Sequence, residues 1–243
     1  MTEMPYRLCL AGGWSDQPWV SARAPGSVVV VQIEAPDAPY MRRSGLATST
    51  RQTATKLWGV LPTTDRDATA RALFACENPP GCKYISGSQD AIGLVYPGAS
   101  RLDYIGEYWP VRMEHNTSAE VARWLERVLH LVPFKPRPEG YDPLIQQRVT
   151  PKVASDLGNA GRLAWAAILN QNVDGLAVAM NETTAAWRAM LPLSISPEME
   201  EFRGLYSEFG GSGFTGCGGG YLMVVCDRDV PGSKAIRVSL GKG

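Results

Sequence analysis

The sequence predicts an α+β fold in which the helices are concentrated in the C-terminal half. Short apolar runs near the N-terminus, several of them β-branched, indicate strands. Apolar side chains at helical spacing dominate much of the chain after residue 117. The 243 residues suffice for one large domain or two small ones, and a hydrophobic content of 44% suffices for a packed core.

The first half contains strands and short helices in alternation. The predicted strands are short apolar runs bounded by turn residues, and they cover residues 7–10, 28–33, 102–105 and 111–113. The predicted helices have apolar positions at helical spacing or a capping residue, and they cover residues 48–58, the stretch from a Thr64-Asp65 cap to about residue 76, and a short turn over 90–94. Residues 78–88 are rich in Pro and Gly and predict a loop.

The second half is mostly helical. Thr117 and Glu120 have the spacing of a capping box and predict the start of a helix that runs through Leu129. Further helices are predicted over residues 153–168, over 176–190 and from Pro197 to 209, after a loop over 135–143. A glycine-rich turn over 210–220, a strand over 221–226 and an alternating edge strand over 236–240 follow.

Composition excludes several classes of function. The 24 basic and 24 acidic residues give a net charge of +0, which gives no electrostatic support to a nucleic-acid or membrane-surface partner. The five cysteines form no CxxC pair. The only histidines are His115 and His130, so neither a histidine-based catalytic triad nor a multi-histidine metal site is expected. No apolar run is long enough to span a bilayer. We therefore expect a cytoplasmic protein, with a homodimer left open.

Two short segments place glycine or hydroxyl groups at the ends of predicted elements. The strand over 7–10 ends in Gly12-Gly13 and is followed by Ser15-Asp16, a pattern that fits close approach to a ligand or a simple hairpin turn. Residues 44–50 place three hydroxyl side chains at the start of a predicted helix, where free N–H groups attract anions. An ordinary Ser/Thr helix cap explains the same pattern.

The third segment, residues 210–220, is the densest in glycine. Gly211, Gly213 and Gly216 have GxGxxG spacing, but a dinucleotide site needs a strand before and a helix after, and the predicted order is the reverse. No Walker A motif occurs. Either a flexible loop or backbone packed against a ligand or another loop fits the pattern. Two carboxylates, Glu77 and Asp90, stand near helix ends, where solvated surface positions are the usual explanation.

Taken together, these segments resemble the GHMP kinase superfamily, and within it the branch that contains fucokinase and the heptose-phosphate kinases. Members of that branch begin with the motif Arg-x-x-x-x-Gly-Gly-x-Thr/Ser-Asp-x-Pro, and this chain matches it at Arg7, Gly12, Gly13, Ser15, Asp16 and Pro18. The phosphate loop of the family resembles residues 45–49, with Ala47 in place of the middle glycine. Its Gly-x-x-Asp-Gln segment resembles residues 87–91, with Ala91 in place of Gln, and its third motif resembles residues 215–220.

The resemblance implies a two-domain fold. It consists of an N-terminal ribosomal-S5-like α/β domain, residues 1–123, and a C-terminal ferredoxin-like α+β domain, residues 124–243. Only about a dozen residues separate the strand over 28–33 from Gly45, where family members usually have several more strands. Nucleotide preference is therefore left open.

The resemblance also implies a set of roles for residues, with ATP and Mg²⁺ as cofactors. Asp90 becomes the general base and Arg7 its catalytic partner. The residues assigned to the substrate are Gly13, Ser15, Asp16 and Gly218. The residues assigned to the cofactor are Gly45, Leu46, Ala47, Thr48, Ser49, Thr50, Gly216 and Gly219. Ser49 and Glu77 become the metal ligands.

The implied activity is phosphorylation of a hydroxyl of a sugar or sugar phosphate. Two alternatives stay open, namely a binding or sensor protein of the same fold without catalysis and a kinase of a non-sugar alcohol. Several basic residues could hold a substrate phosphate or be solvated surface charges, and these are Arg42, Arg43, Arg51 and Lys83.

Overall fold

The computed structural model describes residues 3–241 and contains two four-stranded antiparallel sheets with helices packed on them. The first sheet has the order β1-β2-β3-β4, and its strands are β1 (Tyr6–Ala11), β2 (Gly26–Ile33), β3 (Ala99–Tyr104) and β4 (Arg112–Asn116). The second sheet has the order β6-β7-β5-β8, and its strands are β5 (Leu129–Pro133), β6 (Gly211–Gly216), β7 (Gly219–Val225) and β8 (Lys234–Ala235). The predicted α+β class is confirmed.

Eight α-helices connect and cover the sheets within the described residues. They are α1 (Pro18–Ser21), α2 (Thr48–Trp58), α3 (Arg66–Glu77), α4 (Gln89–Val95), α5 (Ala119–Val128), α6 (Pro151–Leu169), α7 (Val173–Met190) and α8 (Pro197–Gly204). The predicted helix over 48–58 has these same bounds in the structure, and Asp65 caps α3 as its pattern predicts. No helix of the described part of the chain is long and apolar enough to cross a membrane.

Helix α6 lies directly on β2, and two of its glycines make this contact close. A Cβ atom at Gly161 would overlap the Ser27 carbonyl oxygen, and a Cβ at Gly158 would collide with Gly26. Gly12 also abuts the Ser27 carbonyl and has a φ of +74°, which favours glycine. The turn that follows β1 is therefore held between β2 and α6, and its position is fixed by backbone contacts.

A short C-terminal segment joins the two sheets. Val238 forms an isolated antiparallel bridge with Ile33 at the end of β2. The Glu34 N–H donates to the Arg237 carbonyl at 2.8 Å, and the Ser239 N–H donates to the Gln32 carbonyl at 3.0 Å. The predicted edge strand over 236–240 is thus replaced by this bridge and by β8, which pairs with β5.

Two predictions in the second half are wrong in detail. Ser118, not Thr117, caps α5, because the Ser118 hydroxyl accepts a hydrogen bond from the Glu120 N–H at 3.2 Å. Residues 129–133 form β5 directly after the helix, whereas the apolar pattern predicts that Leu129 continues the helical face. Both Val128 and Leu129 are buried, so burial alone does not separate the end of the helix from the start of the strand.

The glycine-rich segment is also different from its prediction. Residues 211–216 form strand β6, which pairs with β7 through a tight turn at residues 217–218. A Cβ at Gly211 would collide with Ala177 of α7, so the absence of a side chain lets this strand pack closely on the helix. Helix α8 ends at Gly204, and a separate 3₁₀ turn covers Ser207–Phe209.

The main hydrophobic core is shared by both halves of the chain. It combines Leu8 and Val31 of the first sheet with Leu131 and Met223 of the second and with Trp165 of α6. The division at residue 123 stays a prediction. What the core establishes is that the two sheets and α6 pack as neighbours, which brings loops from both halves to one cleft.

Candidate active site

A cleft of about 830 Å³ lies where loops from both sheets meet. Its walls are formed by the end of β1 with the turn after it, the start of α2, the start of α4 and the β6–β7 turn. The predicted site residues that line it are Arg7, Gly13, Asp16, Gly45, Ala47, Thr48, Ser49, Asp90 and Gly216. Residues from all four motifs of the sequence therefore lie around one cavity.

Arg7 and Asp90 form an ion pair at the base of the cleft. Arg7 extends from β1, and its Nη2 contacts Oδ1 of Asp90 in the first turn of α4. The Arg7 side chain is 5% exposed and that of Asp90 is 27% exposed. Gly93 on α4 makes room for the Arg7 stem, because a Cβ there would collide with it. The pair thus combines a fully buried cation with a carboxylate that remains open to the cleft.

Asp16 lies on the other side of the α4 N-terminus, where Gln89 holds it. The Gln89 side-chain amide donates to Oδ1 of Asp16 at 3.1 Å, and its backbone N–H approaches Oδ2 at 3.4 Å. A Cβ at Gly87 would overlap the Asp16 carboxylate, so the chain approaches this group closely. Burial raises the pKa of Asp16 to about 6, while the hydrogen bonds from Gln89 and the charge of Arg7 oppose that rise.

The start of α4 is fixed by a buried hydroxyl network. The Ser88 hydroxyl lies 2.9 Å from the Tyr104 hydroxyl and 2.5 Å from the Tyr108 carbonyl oxygen. Both Ser88 and Tyr104 are fully buried. Because Gln89 and Asp90 follow Ser88 directly, this network sets the position of the two residues that approach Asp16 and Arg7.

The predicted phosphate loop precedes α2 and packs against the β6–β7 turn. The Thr215 hydroxyl donates to the Ser44 carbonyl, and Gly45, with a φ of +74°, lies against Thr215 and Gly216. Helix α2 begins at Thr48 with no side-chain cap. The first N–H groups of a helix have no acceptor within it, and here they stand beside the cleft.

Ala47 occupies a strained position at the start of α2. Its φ of 53° and ψ of 36° are left-handed, a conformation that glycine adopts without steric cost. The family resembled by the sequence has glycine here, and the local geometry gives the physical reason. Ala47 lines the cleft, but it is only 3% exposed and belongs to a buried hydrophobic cluster together with Met4 and Ala54.

Glu77 lies at the end of α3, next to Thr50 in the first turn of α2. Burial raises the pKa of Glu77, while a hydrogen bond from the Thr50 side chain and the charge of Arg7 lower it. The hydroxyl beside Glu77 is thus that of Thr50, whereas Ser49 is exposed and lines the cleft.

Glu77 and the hydroxyls of Ser49 and Thr50 fit a magnesium ion better than a metal whose ligands all come from protein side chains. Within residues 3–241, no three His, Cys, Asp or Glu side chains gather as a metal-binding group. Mg²⁺ prefers hard oxygen ligands, keeps several waters and is often held by one or two protein groups together with substrate phosphates. One carboxylate with neighbouring hydroxyls at a phosphate-binding helix start meets that requirement.

Several predicted site residues lie behind the walls of the cleft. Leu46 and Thr50 are buried beneath the phosphate loop, and Ser15 is buried against Gly26. Gly218 lies against the Tyr141 ring, and Gly219 lies against the Lys135 carbonyl oxygen. The segment over 135–141 therefore covers the glycine turn from outside.

The basic residues separate into two groups. Arg43 and Lys83 line the cleft, whereas Arg51 stacks over the Tyr6 ring at 4.2 Å and donates to the Met4 carbonyl oxygen outside it. Arg42 is exposed and is not part of the lining. Two further lining residues, Gln89 and Arg137, were missed by the sequence analysis. Gln89 stands next to the predicted base and could have been found by that proximity, but no signal in the sequence marks Arg137.

Comparison with known proteins was informative only at the level of structure. Neither a protein-family model nor a curated protein sequence matches the chain. A D-glycero-D-manno-heptose 1-phosphate kinase from Bacteroides thetaiotaomicron is similar, with a TM-score of 0.61, 15% identity, and coverage of 97% of this chain and 95% of that chain. The galactokinase of Lactococcus lactis, solved with galactose, has a TM-score of 0.62 and 12% identity, and the match covers 93% of this chain and 85% of that chain. A mevalonate kinase has a TM-score of 0.59 and 10% identity, with coverage of 93% of this chain and 90% of that chain.

All three of these structures are GHMP kinases, and each match extends over more than nine-tenths of this chain. At 10–15% identity the similarity concerns the backbone arrangement. The four motifs of the sequence fall around one cleft in that arrangement. The chain therefore has the GHMP-kinase fold.

Proposed function

We propose that this protein is an ATP- and Mg²⁺-dependent kinase that phosphorylates a hydroxyl group of a sugar or sugar phosphate. One observation carries the proposal: an uncapped helix start with a glycine-containing loop faces, across a single cleft, a carboxylate that is ion-paired to a buried arginine. The first feature suits the phosphates of a nucleotide, and the second suits a base for the acceptor hydroxyl. Phosphoryl transfer depends mainly on such positioning and charge stabilisation.

In this proposal Asp90 accepts the proton of the acceptor hydroxyl as its oxygen attacks the terminal phosphorus. The Asp90 oxygen that Arg7 does not hold remains available for that proton. Arg7 places positive charge beside Asp90 and near the transferring group. Because Arg7 is buried and packed against α4, both groups keep a fixed position before the acceptor binds.

The acceptor end of the cleft suits a ligand with several hydroxyl groups. Asp16 and Gln89 offer carboxylate and amide oxygens as hydrogen-bond acceptors. Aromatic residues that can stack on a sugar face line the same end, and these are Trp14, Trp19 and Tyr108. The galactokinase with the same fold was solved with galactose, a ligand of this type.

The metal would be held by Glu77 with the hydroxyls of Thr50 and Ser49. When bound, Mg²⁺ neutralises charge on the nucleotide phosphates. The residues themselves fix the geometry, since Glu77 ends α3 and the two hydroxyls begin α2. Burial raises the pKa of Glu77, and a cation beside this carboxylate would favour its charged form.

The decisive experiment compares wild type with Asp90→Asn, using Mg-ATP and a panel of free sugars, sugar phosphates and non-sugar alcohols. We expect Asp90→Asn to lower kcat about 100-fold or more, because removal of a general base has effects of that size. Asp156→Asn, which changes an exposed carboxylate on α6, is the matched control and should keep wild-type activity. Equal turnover by wild type and Asp90→Asn would overturn the assigned mechanism.

The same panel separates the alternatives. Calorimetry that shows no binding of Mg-ATP to the folded wild-type protein would favour a binding protein without catalysis. Turnover of mevalonate-like or homoserine-like alcohols, with none of any sugar, would favour a non-sugar kinase. The ion pair between buried Arg7 and Asp90 favours a catalyst, because a binding protein has little need for a paired base in a cleft that also contains a phosphate-binding helix start.

We also propose a cytoplasmic location, since all five cysteines are free thiols and a reducing compartment keeps them so. The balanced charge supports a small-molecule partner and gives no electrostatic support to nucleic acid. A domain boundary near residue 123 and a homodimer stay proposals that limited proteolysis and light scattering would test.

A further inference from the structure

The cleft contains more positive than negative charge. Four basic side chains line it, namely Arg7, Arg43, Lys83 and Arg137, against two acidic ones, Asp16 and Asp90. Arg7 is neutralised by Asp90. Among the residues that the structure describes, the other three basic side chains form no ion pair with a carboxylate. A cavity with unpaired cations is suited to an anionic ligand.

Arg137 is held in place by contacts that leave its terminal nitrogens free. Its Nε donates to the Cys217 carbonyl oxygen at 2.8 Å, and its guanidinium lies 5.6 Å from the centre of the Tyr141 ring. Its backbone N–H donates to the Arg43 carbonyl at 3.0 Å. Within residues 3–241, Nη1 and Nη2 donate to no protein acceptor, and Nη2 stands beside Gly216. This arrangement presents a preorganised guanidinium to the cleft.

Arg43 adds a second charge next to it. The Arg43 guanidinium donates to the Pro138 carbonyl, one residue beyond Arg137, and its backbone is left-handed with a φ of 57°. The two arginines are thus tied to each other's segments. Together they form a pair of cations, here called the arginine pair, at the junction of the phosphate loop and the β6–β7 turn.

One chain of contacts links Arg137 to the acceptor side of the cleft. The Cys217 carbonyl oxygen accepts a hydrogen bond from Arg137, and the Cys217 Sγ accepts one from the Trp14 indole at 3.3 Å. Trp14 follows Gly13 and lies two residues before Asp16, so it belongs to the acceptor wall. The nucleotide phosphates already have the free N–H groups at the start of α2.

On the basis of the proposed kinase function, we propose that the acceptor already carries a phosphate group and that Arg137, with Arg43 beside it, binds that phosphate. A phosphate monoester carries a charge of about −1.5 to −2 at pH 7 and offers three acceptor oxygens. It therefore matches two unpaired arginines better than a carboxylate with a single charge. Arginine also binds phosphate through two parallel hydrogen bonds.

The test measures kcat and KM for hexose and heptose monophosphates, for the matching free sugars and for uronic acids. Wild type is compared with Arg137→Ala, Arg137→Lys and the control Arg42→Ala, which changes an exposed neighbour outside the cleft. We expect Arg137→Ala to raise KM for the phosphorylated acceptor about 10- to 100-fold, as for loss of a charged hydrogen bond. KM for Mg-ATP should change less than about threefold, and Arg42→Ala should match wild type.

Three results would overturn the inference. The first is a preference of wild type for free sugars or uronic acids over phosphorylated sugars. The second is a rise in KM for Mg-ATP as large as the rise for the acceptor in Arg137→Ala. The third is an equal loss on phosphorylated and free sugars. Partial rescue by Arg137→Lys, which restores the charge without the planar fork, is expected.

A binding measurement separates this inference from the kinase proposal. Calorimetry with a sugar monophosphate and no nucleotide should show binding to wild type and to Arg42→Ala, and about 10-fold or more weaker binding to Arg137→Ala. That outcome supports the phosphate site even if no acceptor is turned over. Turnover of free sugars by a wild type that binds no sugar monophosphate retains the kinase function and refutes the phosphate site.

Discussion

Asp16 lies buried beside Gln89 at the acceptor end of the cleft, and this burial has a consequence for stability. Its pKa rises from 3.8 to about 6. Below about pH 4 the carboxyl group is protonated in the folded and unfolded states alike. Between pH 4 and 6 the folded state retains a proton that the unfolded state has released, so stability falls as the pH rises through this window. Above pH 6 the folded state bears the full cost of a buried, charged Asp16 carboxylate, roughly 3 kcal/mol from about two pKa units.

We therefore predict that Asp16→Asn raises the free energy of unfolding at pH 7.5 by about 1–3 kcal/mol, with little change at pH 4. The same variant should lose turnover, because a neutral amide is a weaker acceptor for a substrate hydroxyl than a carboxylate. Denaturant unfolding at the two pH values and steady-state kinetics measure both effects.

The exposed variant Asp156→Asn serves as the control and should leave stability within about 0.5 kcal/mol at both pH values. A destabilised Asp16→Asn at pH 7.5 would contradict the prediction. In wild type, protonation of Asp16 should raise KM for the acceptor as the pH falls below about 6, and a flat KM profile would show that Asp16 does not contact the acceptor.

At the residue scale, the resemblance implied the members of the motifs and the proximity of Arg7 to Asp90, but not how Gln89 holds Asp16 or that Arg137 lines the cleft. Arg7, Asp16 and Asp90 carry recognisable spacing, and the structure places all three at the cleft. Arg137 lies in a segment predicted only as a loop, and its place beside Gly216 depends on how residues 135–141 pack over the glycine turn. Such packing between distant segments leaves no local pattern. The assigned roles of these residues stay predictions until activity is measured.

The element with the clearest conflict between sequence and backbone is α2. Its N-cap residue Ala47 is left-handed, which costs an L-residue about 1–2 kcal/mol. Glycine removes that cost but makes the unfolded chain more flexible, which offsets about 0.4–1 kcal/mol. Glycine also lets the loop adopt this conformation without strain, which would favour anion binding by the backbone N–H groups at the start of α2, at the cost of a small buried contact.

We predict that Ala47→Gly leaves stability unchanged or raises it by up to about 1 kcal/mol and lowers KM for Mg-ATP. Ala54→Gly in the same helix is the matched control, because Ala54 is buried in the helix interior, where glycine costs about 1 kcal/mol. Thermal unfolding and nucleotide titration of both variants check this. Equal destabilisation by the two substitutions would show that the left-handed position carries no strain.

Elements with a strong local pattern were predicted well. Helices α2 and α3 have apolar spacing or a capping residue and begin where the sequence indicated. Strand β6 was missed because three of its six residues are glycines, which have low strand propensity. Its pairing with β7 and its contact with α7 determine the structure there, and both are tertiary effects. Strand β5 was missed because its apolar residues continue the pattern of the preceding helix.

At the scale of the whole molecule, the Ile33–Val238 bridge connects the two sheets. Val238 is 5% exposed, and its N–H donates to the Glu126 side chain at 2.8 Å. We predict that Val238→Ala lowers the free energy of unfolding by about 1–3 kcal/mol, because two buried methyl groups are lost at a junction of sheets. Denaturant unfolding measures this loss.

Val178→Ala is the matched control for that prediction. Val178 is 46% exposed on α7, so its truncation should change stability by about 0.5 kcal/mol or less. If the two variants were equally stable, the C-terminal segment would contribute nothing to the association of the two sheets.

The bridge also has a consequence for how the chain is made. The partner of Ile33 lies near the opposite end of the sequence, and the residues around it close the edge of the main core. During synthesis the first sheet emerges from the ribosome long before residues 237–239. At the end of β2, Ile33 can pair with Tyr6 of β1 on one side, but its other side lacks a partner throughout elongation. Folding is completed only after those residues are released, and a nascent chain halted before them exposes a strand end to chaperones and proteases.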